Sequence, residues 1–244
     1  PLNPLHHQSL INRGINPNQF PYRSVEPWQK LELPVSDRLA GVQKGGLSLH
    51  VPRSGILCPI PNHRGQFVGW QIRVDQPVNG AKYLWSASER SRRSRVSVHL
   101  PNGELPLGVF QSVTASLITL PNPVGLVEGV SFKPYLAAQR LGIPVIGASG
   151  GNFASSPQTL QRSLKGLYEE PQCILFADAG CLHNSNVMET YHRTAKLLTH
   201  LKVPVYFAWW AQNTKEVGDI DEIELSFVKL SVFKWDDLFG NKKC

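Results

Sequence analysis

Cysteine is scarce in this chain: Cys58, Cys173, Cys181 and Cys244 are the only four in 244 residues, and no two form a C-x-x-C pair. That spacing excludes a disulfide scaffold and a zinc ribbon. With Cys173 inside an apolar run, free thiols in a reducing cytosol are expected. No apolar stretch approaches the ~20 residues a membrane span needs, so no membrane partner is expected. No signal peptide is expected either, and a first residue of Pro1 rather than Met suggests a processed chain or a fragment of a longer one. There is no internal repeat and no low-complexity linker. Acidic residues are also scarce in the first half. Residues 1–123 carry thirteen Lys and Arg against six Asp and Glu, whereas residues 124–244 carry twelve of each. The whole net charge of +7 therefore belongs to the first half, as for a nucleic-acid-facing half joined to a neutral catalytic or scaffolding half. A hydrophobic fraction of 41% is enough for a substantial core.

Two apolar runs organise what is present. Residues 124–129 end in Glu128-Gly129, and residues 173–180 end in Asp178-Ala179-Gly180. Short apolar runs bounded by Gly or Pro read as buried strands of a parallel sheet. An isolated carboxylate is costly inside a sheet, so a strand ending in an acid delivers it to the rim. In open α/β sheets ligands bind at the C-terminal rim. Glu128 and Asp178 are thus candidate metal ligands. The structural alternatives are a turn cap for Asp178 and a pairing of Glu128 with Lys133.

Along the chain, residues 1–40 form an N-terminal segment rich in Pro and Asn, with a short helix expected over 6–13 and His6-His7 read as a solvated pair. Residues 41–123 read as a basic, antiparallel, β-rich subdomain. Strands are expected over 55–60, 66–74, 82–85 and 96–100, with a hairpin turn at 61–65. In the second strand Phe67, Gly69, Gln71 and Arg73 share one face and Val68, Trp70, Ile72 and Val74 the other. Between the last two strands lie Arg90, Arg92, Arg93 and Arg95, whose guanidinium forks suit phosphate oxygens; Arg64, Arg73 and Lys82 extend the basic set. A solvated loop is the alternative reading of the arginine run.

From 124 to 225 the pattern alternates strand and helix. Ser131 is expected to cap a helix ending at Gly142, and Ser155 or Ser156 one that opens with Pro157. Asn186 with Glu189 resembles a capping box for the longest helix. Strands are expected over 143–146, 173–177 and 204–209, giving with 124–128 a four-stranded parallel sheet flanked by helices. The glycines at 147–151 lack G-x-G-x-x-G spacing, so a Rossmann cofactor is not expected. An acidic loop, Lys215 to Asp221, follows the last strand, and residues 226–244 form an amphipathic tail.

Glu128-Gly129 and Asp178-x-Gly180, about 50 residues apart, resemble the Toprim domain of primases, topoisomerases and some nucleases. The resemblance covers residues 124–221. It is closer to a Toprim-like family at the N-terminus of bacterial, especially cyanobacterial, plasmid replication proteins, with Glu128-Gly129 and Lys133, Asp178 to Gly180 with Asn184 or Asn186, and Lys215, Gly218, Asp219 and Asp221. The pieces at 55–57, 69–73 and 82–84 resemble the basic subdomain that precedes Toprim in primases. The resemblance implies Mg²⁺ or Mn²⁺ held by Glu128 and Asp178, with Lys133 near phosphate; the loop after the fourth strand is expected at the same rim, which makes Asp219 or Asp221 the candidate for the missing ligand, with solvated surface acids as the alternative. It implies a primase-like nucleotidyltransferase working on single-stranded or template DNA with nucleoside triphosphates, beside a helicase part or partner. A degenerate DNA-binding module and a Toprim nuclease are the rivals. One departure matters: Gly180 stands where the family pattern has a second Asp.

Overall fold

The computed structural model describes residues 1–27, 29–36, 39, 41–86, 99–226 and 228–240. The chain divides into two compact units, residues 1–61 with 66–106, and residues 62–65 with 107–244.

The first unit opens with α1 (Pro4–Ile11), capped by Asn3, whose side chain accepts from His6 N–H. Its sheet has the order β1 (Arg23–Val25), β2 (Gly55–Pro61), β3 (Phe67–Val78), β4 (Ala81–Trp85), antiparallel throughout. The register sets Leu57, Ile72 and Leu84 side by side, and with Val74 and Trp70 they pack on Val25, Val42, Leu49 and Val51. The face assignment from alternation in β3 holds for Trp70, Ile72 and Val74, which share the core; a register shift opposite Ile60 and Pro61 breaks it at the start of the strand, where the Phe67 and Trp70 rings lie 6.1 Å apart. The expected strand over 96–100 lies largely outside the described residues, as does the whole arginine run. His6 is not solvated: it is 8% exposed, its Nδ1 lies 2.7 Å from Ser24 Oγ and its Nε2 2.7 Å from Asp75 Oδ1. The imidazole ties α1 to β1 and β3, a partnership 69 residues long in sequence.

The second unit is a six-stranded mixed sheet with helices. In chain order it comprises β5 (Gly108–Phe110), β6 (Pro123–Glu128), α2 (Phe132–Leu141), β7 (Val145–Ala148), α3 (Pro157–Leu167), β8 (Gln172–Leu175), α4 (Ser185–His200), β9 (Val205–Trp209), β10 (Ser231–Lys234) and α5 (Trp235–Phe239). The sheet order is β10-β9-β8-β6-β7-β5. The inner four strands are parallel, as expected. Two edge strands extend the expected four. β5 pairs antiparallel with β7 and β10 antiparallel with β9. They come from segments assigned by sequence to the β-rich subdomain and to the tail, because runs of three and four residues carry too little periodicity to betray a partner. The hairpin tip 62–65 also groups with this unit, where Gln111 Nε2 donates to His63 O at 3.0 Å.

Helix starts differ from expectation in detail. Ser131 occupies the N-cap of α2 without a side-chain cap bond, and its Oγ is buried and unpartnered. Ser156 likewise caps α3 by position only. α4 is capped by Asn184, whose Oδ1 accepts from Asn186 and Val187 N–H, so Asn186 lies inside the first turn rather than at the cap. Beneath α3 and α4, Val124, Leu126, Leu160, Leu164, Leu175, Tyr191, Leu198 and Phe207 form one buried core. Cys58, Cys173 and Cys181 are free and buried. Among the described residues no helix is long and apolar enough to cross a membrane.

Candidate active site

The strand order places a crevice. From β6 the chain runs through α2 to β7 on one side, then through α3 to β8 on the other, so β6 and β8 are neighbours whose connections leave in opposite directions. Ligands of open α/β sheets bind at such a switch point, outside the carboxyl ends of the strands. Glu128 is the last residue of β6, and Asp178 follows the end of β8. The register Leu126 to Leu175, extended by Phe176 N–H to Leu126 O at 3.0 Å, brings both acids to that rim. Gly129, at φ 84, turns the chain sharply from the rim into α2.

Glu128 and Asp178 lie close enough for their carboxyls to act on each other. That interaction, burial and the charge of Asp178 push the Glu128 carboxyl up to about 8. Burial would raise Asp178 as well, but the interaction with Glu128 and the Lys133 ammonium outweigh it and hold Asp178 below its ordinary value. Of the two acids, Glu128 is the one whose proton is held more tightly.

Lys133 stands in the first turn of α2, and its Nζ reaches Asp178 Oδ1 at 2.8 Å and Asp219 Oδ2 at 2.7 Å. Burial alone would lower an ammonium, yet the two carboxylates raise it, so Lys133 stays charged. Asp219 uses its other oxygen to accept from Ala179 N–H at 2.8 Å. One side chain thus pins the loop after β9 to the turn after β8, and through Lys133 to α2. Sequence placed Lys133 beside the first-strand acid; its charge does act on Glu128, while its direct ion pairs are with Asp178 and Asp219. Asp221 lies close enough for the charges of Lys133 and Asp219 to act on it; burial raises its carboxyl, and its Oδ1 is buried and unpartnered.

Gly180 explains the missing acid locally. Cys181 N–H donates to Asp178 O at 3.1 Å, closing a turn over 178–181, and Gly180 holds φ 78 and ψ 4 within it. Those are the angles of the third position of a type II turn, which favours glycine. Two further residues serve this turn and were not picked as site residues from sequence. Tyr191 Oη accepts from Asp178 N–H at 3.2 Å, and Gln212 O accepts from Gly180 N–H at 2.9 Å. Neither has a local sequence signal, since each meets the turn only through folding.

The donors gathered here are all carboxylate oxygens, the hard ligands that suit Mg²⁺ or Mn²⁺. The raised Glu128 carboxyl is what such a cation would relieve, so the chemistry of the donors fits one. Among the described residues no three His, Cys, Asp or Glu groups form a ready-made cage. The Lys133 ammonium takes the space between Asp178 and Asp219.

The expected nucleic-acid contacts are more scattered. Arg73 is half-buried in β3 opposite Tyr83, so alternation puts the exposed Lys82 on the other face of the sheet. Arg64 is exposed at the 62–65 tip, which belongs to the second unit rather than to the small sheet. Arg90, Arg92, Arg93 and Arg95 lie outside the described residues.

No family model matches the sequence, and no curated protein matches it. Solved structures do match. A DNA primase domain from Pseudomonas aeruginosa is similar over 91% of this chain and 68% of its own, at 17% identity and a TM-score of 0.57. The catalytic domain of a DnaG primase bound to single-stranded DNA is similar over 91% and 67%, at 17% identity and a TM-score of 0.55. A DnaG catalytic core follows, over 85% of this chain and 64% of its own, at 19% identity and 0.51. The fold of this chain is that of primase catalytic domains.

Proposed function

We propose that this chain is the primase-like, Mg²⁺- or Mn²⁺-dependent nucleotidyltransferase portion of a DNA replication protein of the plasmid type, acting on single-stranded template with nucleoside triphosphates beside a helicase part or partner. The observation that carries the reading is the convergence of Glu128, Asp178, Asp219 and Lys133 at the switch point between β6 and β8.

Glu128 and Asp178 would hold the ion, directly or through water, with Asp221 supplying a further oxygen. The ion supplies charge neutralisation at the phosphoryl oxygens in transfer. Lys133 keeps Asp178 ionised and holds Asp178 and Asp219 in place. Glu128 would give up its proton on loading of the site, and its raised carboxyl keeps an empty site from carrying the full charge of its acids. Asp219, through Ala179 N–H, fixes the turn that presents Asp178. Arg64, Arg73, Lys82 and the Arg90 to Arg95 run contact nucleic-acid backbone in this reading, because Arg and Lys position phosphates without reading sequence.

A second reading is a DNA-binding module with a degenerate site. It is favoured by Gly180 in place of an acid and by the internal neutralisation of Asp178 and Asp219 by Lys133. One experiment separates them: incubate the chain with single-stranded DNA, nucleoside triphosphates and Mg²⁺ or Mn²⁺. Divalent-dependent strand extension supports the primase reading, cleavage makes the site a nuclease, and binding alone makes it a module without chemistry.

A further inference from the structure

Gly180 does more than shape a turn, because a second cationic side chain borders the space beside it. A Cβ placed there would meet Lys215 Cγ at 3.4 Å and Lys215 N at 3.6 Å, so the methylene chain of Lys215 lies against the bare face of the turn. The Gly180 N–H to Gln212 O bond holds that loop in place. Lys215 is exposed and begins the short 3₁₀ turn Lys215–Val217, so its ammonium stands beside the turn that presents Asp178. Among the described residues no salt bridge ties its ammonium to a carboxylate, whereas Lys133 is bound by two. Asp178 therefore has one lysine engaged on its α2 side and a second cation on its β9-loop side that is open to a ligand.

We propose that Lys215 is the polyphosphate-binding side chain of this site, placed against Gly180, where the resembled Toprim pattern has an acid. An acid at 180 would recruit a further metal ion to meet the triphosphate; here the ammonium meets it directly. The ligand class is a nucleoside triphosphate, and the ion requirement falls to one per chain. The inference rests on the phosphoryl-transfer reading above and specifies its substrate contact. Lys215→Ala is a safe variant because the side chain is exposed and buries nothing but the face of a glycine.

The test measures two things on the full chain: binding of a fluorescent nucleoside triphosphate in the presence of Ca²⁺, and Mn²⁺ stoichiometry by electron paramagnetic resonance. The expected result is one Mn²⁺ per chain in both wild type and Lys215→Ala, with triphosphate affinity falling about tenfold or more in the variant, the loss of one charge-assisted contact. Lys215→Arg should retain most of the affinity, since the charge remains. Wild-type chain that binds Mn²⁺ and triphosphate, with Lys215→Ala unchanged, overturns the assignment of Lys215 alone. Two Mn²⁺ per wild-type chain overturns the exchange of an ion for a lysine. A wild-type chain that takes up neither overturns this inference and the phosphoryl-transfer reading together.

Discussion

The proton on Glu128 is the sharpest handle on the site. Its carboxyl is raised from 4.5 to about 8 by the interaction with Asp178, by burial and by the neighbouring negative charge. At pH 7 a group with that value is about 0.9 protonated. A divalent cation needs the anion, so loading the site must expel that proton. Titrating Mg²⁺ or Mn²⁺ calorimetrically in buffers of different ionisation enthalpy counts the protons released. The expected count is about 0.9 per ion at pH 7 and about 0.1 at pH 9. Glu128→Gln should release almost none, which separates Glu128 from the raised carboxyl of Asp221. The same shift predicts stability. A carboxyl whose pKa rises on folding stabilises the fold fully below its ordinary value, and that contribution is lost as pH climbs through about 8. The full shift converts to about 5 kcal/mol; partial solvent access and coupling to Asp178 reduce it to roughly 2 kcal/mol. Metal-free chain should therefore melt at lower temperature at pH 9 than at pH 6, Mg²⁺ should restore the loss, and Glu128→Gln should flatten the profile. Ion binding at pH 7 without proton release, or equal release from Glu128→Gln, refutes a site with its proton held on Glu128.

Further outcomes follow from the same contacts. Lys133→Ala leaves Asp178 and Asp219 without their cation and should cost about 3 kcal/mol in denaturant unfolding of the metal-free chain, partly recovered with Mg²⁺; a loss under about 1 kcal/mol would show that the pair is solvent-screened. Asp178→Asn keeps Lys133 on Asp219 and keeps its own N–H on Tyr191, so the fold should persist by circular dichroism while divalent-dependent activity is lost; an unfolded variant would make Asp178 a structural cap. Asp219→Ala should reduce that activity about as severely as Asp178→Ala, because it frees Lys133 and the Ala179 N–H together. Neutralising Arg90, Arg92, Arg93 and Arg95 together should weaken binding to all DNA sequences alike and shrink the log-log salt slope by roughly 3; an unchanged slope would remove the run from the interface.

How much of this was legible differs by element. Glu128 and Asp178 could be found because each closes an apolar run, and a buried run fixes both the strand and the end at which a charge must emerge. The inner strands and the helices of the second unit were legible for the same reason, since packing on both faces imposes a pattern on every residue between their turns. His6 was not, because its partners Ser24 and Asp75 lie elsewhere in the chain and a histidine near a terminus has the same local signature whether bonded or bare. The edge strands β5 and β10 were missed because their pairing is decided by which strand has a free edge. The division of labour among the lysines also required the fold. Lys133 lies five residues from Glu128 but is held by acids 45 and 86 residues away, and Lys215 meets Gly180 only where two loops close on one rim. Sequence alone determined which side chains could bear charge at the end of a buried strand. Which of those charges neutralise one another, and which stay open to a ligand, was decided by distances between loops far apart in the chain, to which local pattern is blind.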